Sequence, residues 1–386
     1  MMTTLNILFY KKGAKKMLTT VNRQLLLETI QNLSRAVANK ATIPVLEGIY
    51  IEAKEGKLKM IAYNLELGMT KEIEANVKEE GTIVINAKML SEMIRRLSGV
   101  NVTLSTDDKL SCKIESDKTV FELMGMNPND FPELPEVDET YGVTIPSDVL
   151  KDMVRQTIFS IAQPEYGKPI YTGLLFDIKD RKLTVVGVDG SRLAVRKEKI
   201  DYEGDISFIV AGRAIGEVVK IVKDNEKTVT INVGKRHFSI TVDGYTIISR
   251  IMEGDFINYE KIVNNSFSTV VTANAKDIAS ILDRISLVIN DQLRTPVRCF
   301  MARNEFIFSC VTPIGKAIDS CECQIEGNEM EIGFNSKFLV EALKATECEE
   351  VKLNFNGPLS PMLILPTEGD SFVYIVMPMM LRSDER

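Results

Sequence analysis

Three basic residues, Lys88, Arg213 and Lys337, recur along the chain at intervals of roughly 125 residues. Each stands near the start of a segment whose apolar residues follow helical spacing. These segments are INAKMLSEMIRRL (85–97), VAGRAIGEVVKIV (210–222) and GFNSKFLVEALKA (333–345). Lysine and arginine bind phosphate oxygens through charge and hydrogen bonds. A single basic helix face is usually a solvated surface, but its repetition in a chain of net charge -7 favours a surface for a polyanion.

Residues for covalent or metal chemistry are sparse. The stretch GVDGSRLAV (187–195) contains Asp, Ser and Arg but lacks the G-x-S-x-G elbow, and the single histidine, His237, lies in a strand pattern. The sequence has neither a P-loop nor a glycine-rich dinucleotide motif. The acidic pairs 107–108 and 349–350 lie in predicted turns and are typical of solvated surface. We therefore expect no enzymatic activity, no metal site and no cofactor.

The cysteines and the apolar segments indicate a cytoplasmic protein. The six cysteines include the CEC motif at 321–323, but too few further ligands accompany it for a metal site, and we expect reduced, mostly buried thiols. No apolar run approaches the ~20 residues of a membrane helix. The segment 1–16 places its lysines after its apolar residues, which is the wrong order for a secretory signal. We interpret it as a leader or a misassigned start.

Other segments repeat at the same interval as the basic helices. GKLKMIAYNLELGM (56–69) matches RKLTVVGVDGSRLA (181–194), and Met126, Met252 and Met377 each end a unit. A second amphipathic helix opens each unit, and it too carries basic residues outside its apolar stripe; these residues are Arg23, Arg35, Lys151, Arg155, Lys276 and Arg284. Hairpins such as 237–250, with Asp243-Gly244 at the turn, indicate antiparallel pairing. The sequence thus predicts an α+β fold of three domains, 17–140, 141–264 and 265–386, each with two helices packed on antiparallel sheet.

A double-stranded nucleic acid is the expected polyanion. Arg213 and Lys220 share a helix face, as do Lys337 and Lys344, and these spacings are close to whole turns. The chain has no zinc-finger spacing, RNP aromatic motif or basic leucine pattern, so we expect contacts to the phosphate backbone without sequence preference. The alternative is a repeat scaffold that binds only proteins and buries its basic faces against acidic partners.

Six segments, in order, resemble the β sliding clamps of bacterial DNA polymerase III, from about Met17 onward. They are TIPVLEGIYIEA (42–53), NDFPELPEV (129–137), VVGVDGSRLAV (185–195), SRIMEGDFINYEKIV (249–263), MEIGFNSKFLVEAL (330–343) and YIVMPMML (374–381). The resemblance implies that the chain forms half of a ring, the DNA clamp fold. In that arrangement a head-to-tail homodimer encircles duplex DNA during replication, with helices lining the hole and sheets forming the outer wall. The ring tethers the replicative polymerase for processive synthesis.

The resemblance also implies three sets of site residues. Lys40 stands where the family has an arginine that touches DNA, and we expect Lys88, Lys168, Arg213, Lys220 and Lys337 to face the duplex as well. Phe121 and Leu123 of the first domain are expected to meet Leu287 and Val288 of the third domain of the other subunit. Short linear peptides of the polymerase III catalytic subunit, the clamp loader, other polymerases and repair proteins are expected in an apolar pocket. Its residues are Tyr171, Val188, Gly190, Ser191, Arg192, Leu193, Ile257, Lys261, Ile262, Leu359, Pro361, Ile375, Val376, Met377, Pro378, Met379, Met380 and Leu381.

The pocket also departs from the family pattern. Tyr171 stands where a leucine is common, Ile257 where a proline is common and Met380 where an arginine is found. Methionine is unbranched and adaptable, so a methionine-rich wall suits varied leucine and phenylalanine side chains. By composition alone, YIVMPMML is equally well a core edge strand that Pro378 ends.

Overall fold

The computed structural model describes residues 16–138, 141–165, 167–222, 228–263, 267–289 and 295–381. The predicted leader lies outside the described residues except for Lys16. The chain divides into two compact units, which are described separately. The first unit comprises residues 1–144 and 220–250, and the second unit comprises residues 145–219 and 251–386.

Seven α-helices, separated by single strands or runs of strands, occur in the described part of the chain. The helices are α1 (Arg23–Leu33), α2 (Ala87–Arg96), α3 (Ser147–Arg155), α4 (Gly212–Ile221), α5 (Glu260–Val263), α6 (Ala275–Ile285) and α7 (Ser336–Thr346). The strands are β1 (Leu18–Asn22), β2 (Gly48–Lys54), β3 (Lys57–Tyr63), β4 (Leu67–Glu74), β5 (Asn76–Glu79), β6 (Gly81–Asn86), β7 (Asn101–Thr106), β8 (Ser111–Ser116), β9 (Thr119–Met124), β10 (Tyr141–Pro146), β11 (Gly173–Lys179), β12 (Lys182–Val188), β13 (Arg192–Lys199), β14 (Ile206–Ala211), β15 (Thr228–Val233), β16 (His237–Val242), β17 (Tyr245–Arg250), β18 (Thr269–Asn274), β19 (Val297–Ala302), β20 (Glu305–Thr312), β21 (Gly315–Glu322), β22 (Gln324–Gly327), β23 (Met330–Phe334), β24 (Glu350–Phe355), β25 (Met362–Pro366) and β26 (Phe372–Val376).

The same order of elements occurs three times. A strand leads into a helix, several strands follow, and a second helix precedes three further strands. These passes run from β1 to β9, from β10 to β17 and from β18 to β26. The four-residue helix α5 stands between the second and third passes. The predicted α+β class and its repetition are therefore confirmed.

Asparagine begins four of these helices. The side-chain oxygens of Asn22, Asn86, Asn274 and Asn335 accept hydrogen bonds from backbone N–H groups of the first turn. Such a cap satisfies a donor that has no partner within the helix and is worth ~1 kcal/mol. A lysine lies two positions after Asn86 and another two positions after Asn335. Each cap therefore also fixes the position of Lys88 or Lys337 in its helix.

The first unit contains a five-stranded sheet and an eight-stranded sheet. Their strand orders are β5-β1-β7-β8-β9 and β10-β15-β16-β17-β4-β3-β2-β6. Helices α1 and α2 pack against each other. Strand β9 forms one edge of the five-stranded sheet, which leaves one side of its backbone without a neighbouring strand of that sheet.

The second unit contains a nine-stranded sheet of order β14-β11-β12-β13-β26-β25-β24-β18-β22 and a four-stranded sheet of order β21-β20-β19-β23. Helices α6 and α7 pack over one face of the nine-stranded sheet, where residues such as Ala194, Tyr374 and Val376 are buried. A second apolar cluster lies on the opposite face and includes Leu193 and Ile375. Because side chains alternate along a strand, adjacent residues of β13 and of β26 belong to different clusters.

The closing methionine of the third repeat differs from the prediction. Met126 forms a β-bridge with Val84, the strand residue two positions before the Asn86 cap. The matching residue before the Asn335 cap is Gly333, and it bridges Met379. The structural counterpart of Met126 is therefore Met379, two residues after the predicted Met377.

Candidate functional site

The repeated basic residues occupy one position in three helices. Lys88, Arg213 and Lys337 are the second residues of α2, α4 and α7, and all three are exposed. The positive end of the helix dipole disfavours a cation there by some tenths of a kcal/mol. An anion at the same place would be favoured both by the dipole and by the side chain. The helix dipole thus does not explain a basic residue at this position, whereas binding of an anion would.

Several other basic residues of these helices are neutralised by the chain itself. Arg95 and Arg96 pair with Glu92, Arg155 pairs with Asp152 and Glu347, Arg284 pairs with Asp319, and Lys344 pairs with Asp283. Arg35 lies in a 3-10 turn after α1 and is half-buried. Within the described part of the chain, the ammonium groups of Lys40, Lys88 and Lys337 make no ion pair. The prediction that all six helices present basic faces is thus too broad, because partners distant in sequence take up part of the charge.

The remaining predicted DNA-binding residues are also exposed. Lys40 lies before the 3-10 turn Pro44–Glu47, and Lys168 lies directly before the turn Pro169–Thr172. The ammonium of Lys168 stands 5.8 Å from the centroid of the Tyr171 ring. Lys220 is in the last turn of α4. The structure gives each of these side chains access to a ligand.

The predicted peptide pocket has an apolar floor on one face of the nine-stranded sheet. Val188 lies opposite Leu193, which lies opposite Ile375 on the next strand. All three are buried, and together they form a row across β12, β13 and β26. The half-buried residues Tyr171, Ile257 and Ile262 pack against this cluster. The structure thus brings together six of the predicted pocket residues in the second unit.

The C-terminal segment runs from this floor to the four-stranded sheet. The backbone N–H of Met377 donates to the carbonyl of Ser191 at 2.9 Å, and that of Met379 donates to the carbonyl of Gly333 at 2.8 Å. Met377 is partly exposed, and Met380 is 82% exposed. Strand β26 lies between β13 and β25, so the alternative prediction of an edge strand is wrong.

The other predicted pocket residues lie outside the apolar cluster of this floor. Gly190 and Ser191 form the turn between β12 and β13, where Asp189 Oδ1 accepts a hydrogen bond from the Ser191 N–H. Pro361 and Pro378 are half-buried, Leu381 packs near Gly333, and Lys261 is exposed. Leu359 is 76% exposed and contacts solvent with most of its side chain.

Two predicted pocket residues lie on the opposite face of the sheet. Val376 is fully buried in the cluster beneath α6 and α7. Arg192 is also buried, between the rings of Phe159 and Phe338, and it pairs with Asp189 and with Glu341 of α7. Neither side chain reaches the apolar floor, because each is adjacent in sequence to a residue that does. Arg192 and Val376 therefore lie on the other face of the sheet from the predicted apolar floor.

The predicted interface residues lie on or near sheet edges. Phe121 and Leu123 belong to the edge strand β9, where Leu123 is buried and Phe121 half-buried. In the second unit Leu287 is 83% exposed, and Val288 is half-buried. Sequence reasoning missed further exposed apolar side chains of the same regions, although their position among alternating polar residues is a usable signal. They are Val120, Met124, Ile314 and Ile318.

A metal-ligand cluster is absent from the described residues. In that part of the chain no group of three or more His, Cys, Asp or Glu side chains could hold a metal ion. Burial and the charges of Arg250 and Arg236 lower the pKa of His237 below its ordinary value. Among the described helices none has the length and hydropathy needed to cross a membrane.

Comparison with known families identifies the chain. Residues 17–135, 144–258 and 260–380 match the N-terminal, central and C-terminal domain models of the DNA polymerase III beta subunit. The chain belongs to the DNA polymerase III beta subunit family. The predicted family, the clamp fold and the function of a DNA sliding clamp are thereby confirmed.

Relatives from several bacteria share this family over nearly the whole chain. The beta sliding clamp of Bacillus subtilis is 28% identical over 373 residues, covering 93% of this chain and 98% of that protein. The beta sliding clamp of Halalkalibacterium halodurans is 29% identical with the same coverage. The solved Bacillus subtilis sliding clamp aligns with a TM-score of 0.92 at 26% identity and covers 95% of this chain and 100% of that one. The Thermotoga maritima beta subunit aligns with a TM-score of 0.87 at 27% identity and equal coverage.

Proposed function

We propose that two copies of this chain close head to tail into a ring around duplex DNA in the cytoplasm. The ring holds a replicative polymerase at the primer end and raises its effective concentration there. A closed ring stays on DNA by topology, so its contacts need not be strong. The chain performs no catalysis in this role, and ring opening falls to a separate clamp loader driven by ATP. The division into domains 17–140, 141–264 and 265–386 is supported by the threefold order of elements.

Lys40, Lys88, Lys168, Arg213, Lys220 and Lys337 contact the phosphate backbone in this proposal. The observation that carries it is the recurrence of an exposed basic residue at the second position of α2, α4 and α7, where the helix dipole disfavours a cation. Contacts to phosphate alone release counterions and read no bases, so the ring can slide.

The apolar floor of Val188, Leu193 and Ile375 takes the leucine and phenylalanine side chains of linear peptides. Met377 and Met380 supply unbranched side chains that adapt to different partners. The catalytic subunit of the polymerase, the clamp loader, other polymerases and repair proteins would compete for this one site. Competition of this kind lets one ring serve successive tasks at the same place on DNA.

The edges β9 and β21 close the ring between subunits. Exposed apolar side chains on an edge strand are an aggregation hazard unless another chain covers them. Met124 is 68% exposed on β9, and Ile318 is 67% exposed on β21. Pairing of β9 of one copy with the region of β21 and Leu287 of the other copy would cover both patches, as a closed dimer requires.

The experiment is retention on nicked circular and linear duplex after loading by a clamp loader. We expect the chain to remain on circles in high salt and to leave linear DNA by its ends. Lys40→Glu and Arg213→Glu should each reduce loading several-fold. Lys109→Glu, an exposed lysine in the turn between β7 and β8, is the control for net charge. Retention on neither substrate would instead favour a scaffold that binds only proteins.

A further inference from the structure

A row of lysines crosses three strands of the second unit on the face that carries the apolar floor. Lys179 of β11 lies opposite Lys182 of β12, which lies opposite Lys199 of β13. All three are exposed, and within the described part of the chain their ammonium groups make no ion pair. Like charges directly opposite each other destabilise a sheet. Repulsion within this row therefore destabilises the folded chain, and a bound anion would reduce that repulsion.

The lysine row lies on the opposite face of the sheet from helices α6 and α7, so it does not add to the charge of that helix layer. Lys182 and Lys199 share their face with Val186 and Val195, because two residues along a strand return the side chain to one side. Those valines belong to the cluster opposite α6 and α7. The charge of this row therefore points away from the side of the sheet on which the helices pack.

A recess connects the lysine row with the apolar cluster. It has a volume of about 310 Å³, and Val195 and Tyr259 line it together with Lys179 and Lys182 of the row, whereas Lys199 is not among its lining residues. The others that line it are Asp177, Asp180, Thr184, Lys197 and Glu260. Tyr259 donates a hydrogen bond to Asp177 Oδ2 at 2.8 Å, and Lys197 pairs with Asp370 at 3.6 Å. Among the described residues, Lys179 and Lys182 are thus the two lysines of the recess without an ion pair, and Tyr259 occupies one of its three carboxylates, Asp177.

The distance along β13 from the apolar floor to the lysine row matches the length of a short extended peptide. Leu193, in the apolar floor, is six residues from Lys199 on the same strand, which corresponds to about 20 Å. An extended peptide spans that distance with about six residues. A peptide is the favoured occupant because the lysine row lies on the same sheet face as the apolar floor, so one extended segment reaches both.

We propose that Lys179, Lys182 and Lys199 bind an acidic segment that flanks the apolar anchor of a linear peptide partner. This inference rests on the proposed peptide site at Val188, Leu193 and Ile375. The anchor would supply the apolar contact, and the acidic flank would select among partners that carry similar anchors.

The test measures binding of labelled peptides to the full chain by fluorescence anisotropy. All peptides contain one anchor of leucine and phenylalanine, preceded or followed by four aspartates or by four serines. We expect the aspartate flank to tighten binding about five- to tenfold at low salt and to lose this gain in 0.5 M NaCl. The variant K179Q/K182Q/K199Q should lose the gain but bind the serine peptide normally. The control K78Q/K109Q/K118Q changes three other exposed lysines and should keep the gain.

The outcomes separate this inference from the function on which it rests. Binding of the serine peptide with no gain from aspartate, or a gain that survives in K179Q/K182Q/K199Q, would overturn the lysine site alone. Failure of every peptide to bind would overturn the anchor site and this inference with it. Displacement of the aspartate peptide by a 20-base-pair duplex, lost in the same triple variant, would assign the row to nucleic acid instead.

Discussion

The guanidinium of Arg192 forms an ion pair with the carboxylate of Glu341, which links the turn between β12 and β13 to helix α7. Its Nε donates to Asp189 Oδ2 at 3.0 Å, and its plane lies over the ring of Phe338, 4.3 Å from the centroid. Leu193 follows directly on the other face of the sheet. Arg192 therefore holds the turn beside Leu193 from the opposite face of the sheet to the apolar floor.

Arg192→Ala should lower the free energy of unfolding by about 3 kcal/mol, because it leaves Glu341 and Asp189 without their buried partner. Arg192→Lys should cost less, since lysine keeps the charge but not the planar fork. Arg181→Ala removes an exposed pair with Glu203 and should cost under about 1 kcal/mol. Urea denaturation followed by circular dichroism measures all three. Equal losses for Arg192→Ala and Arg181→Ala would contradict the structural role.

Adjacent residues of β26 and the segment after it should separate folding from binding. Val376→Ala empties a fully buried site under the helices and should cost roughly 2 kcal/mol of stability while leaving peptide affinity unchanged. Met377→Ala with Pro378→Ala should weaken a leucine- and phenylalanine-containing peptide about tenfold with little loss of stability. Thermal denaturation and fluorescence anisotropy give the two readouts. The face assignment fails if Val376→Ala weakens the peptide as much as the double variant does.

The repeat and the helix starts were predictable because local signals encode them. Asn86 and Asn335 stand directly before apolar residues at helical spacing, and an asparagine cap needs no distant partner to form. The lysine two residues after each cap is fixed with it. The interval between the copies is then visible without any knowledge of the sheet.

The faces of β26 and the surface charge were not predictable in the same way. The segment Tyr374-Ile375-Val376 is apolar on both faces, so no alternation distinguishes the pocket side from the helix side. The partner of Arg284 is Asp319, which lies on a different element 35 residues away. Which basic residues stay available for a ligand therefore depends on tertiary contacts that periodicity does not contain.

Leu287→Glu and Ile318→Glu should each shift a dimer toward monomer. Both side chains are largely exposed, at 83% and 67%, so a charge there does not disturb the core of the chain. In a dimer the same positions would bury the charge in an apolar contact without a partner. Sedimentation velocity at micromolar concentration measures the change. Val100→Glu is the control, because Val100 is 74% exposed and lies outside the proposed interface; equal effects of all three would argue against this contact.

The buried thiol of Cys112 should make stability depend on pH in the alkaline range. Burial raises the pKa of Cys112 to about 12 from its ordinary value of 9.0. Between these values the folded chain keeps a proton that the unfolded chain releases. The contribution of this thiol to the free energy of unfolding is therefore complete below about pH 9 and falls as the pH rises toward 12.

Alkylation by iodoacetamide at pH 9 reports this shift directly, since the thiolate is the reactive form. Cys112 should be labelled only as fast as the folded chain opens, whereas the half-buried Cys348 of the same chain should be labelled many times faster. Mass spectrometry of tryptic peptides gives both rates from one sample, and labelling in 8 M urea gives the unprotected rate of each thiol. Burial both limits access to Cys112 and raises its pKa. Labelling of Cys112 in the folded chain at its rate in urea would therefore show that this thiol is not buried.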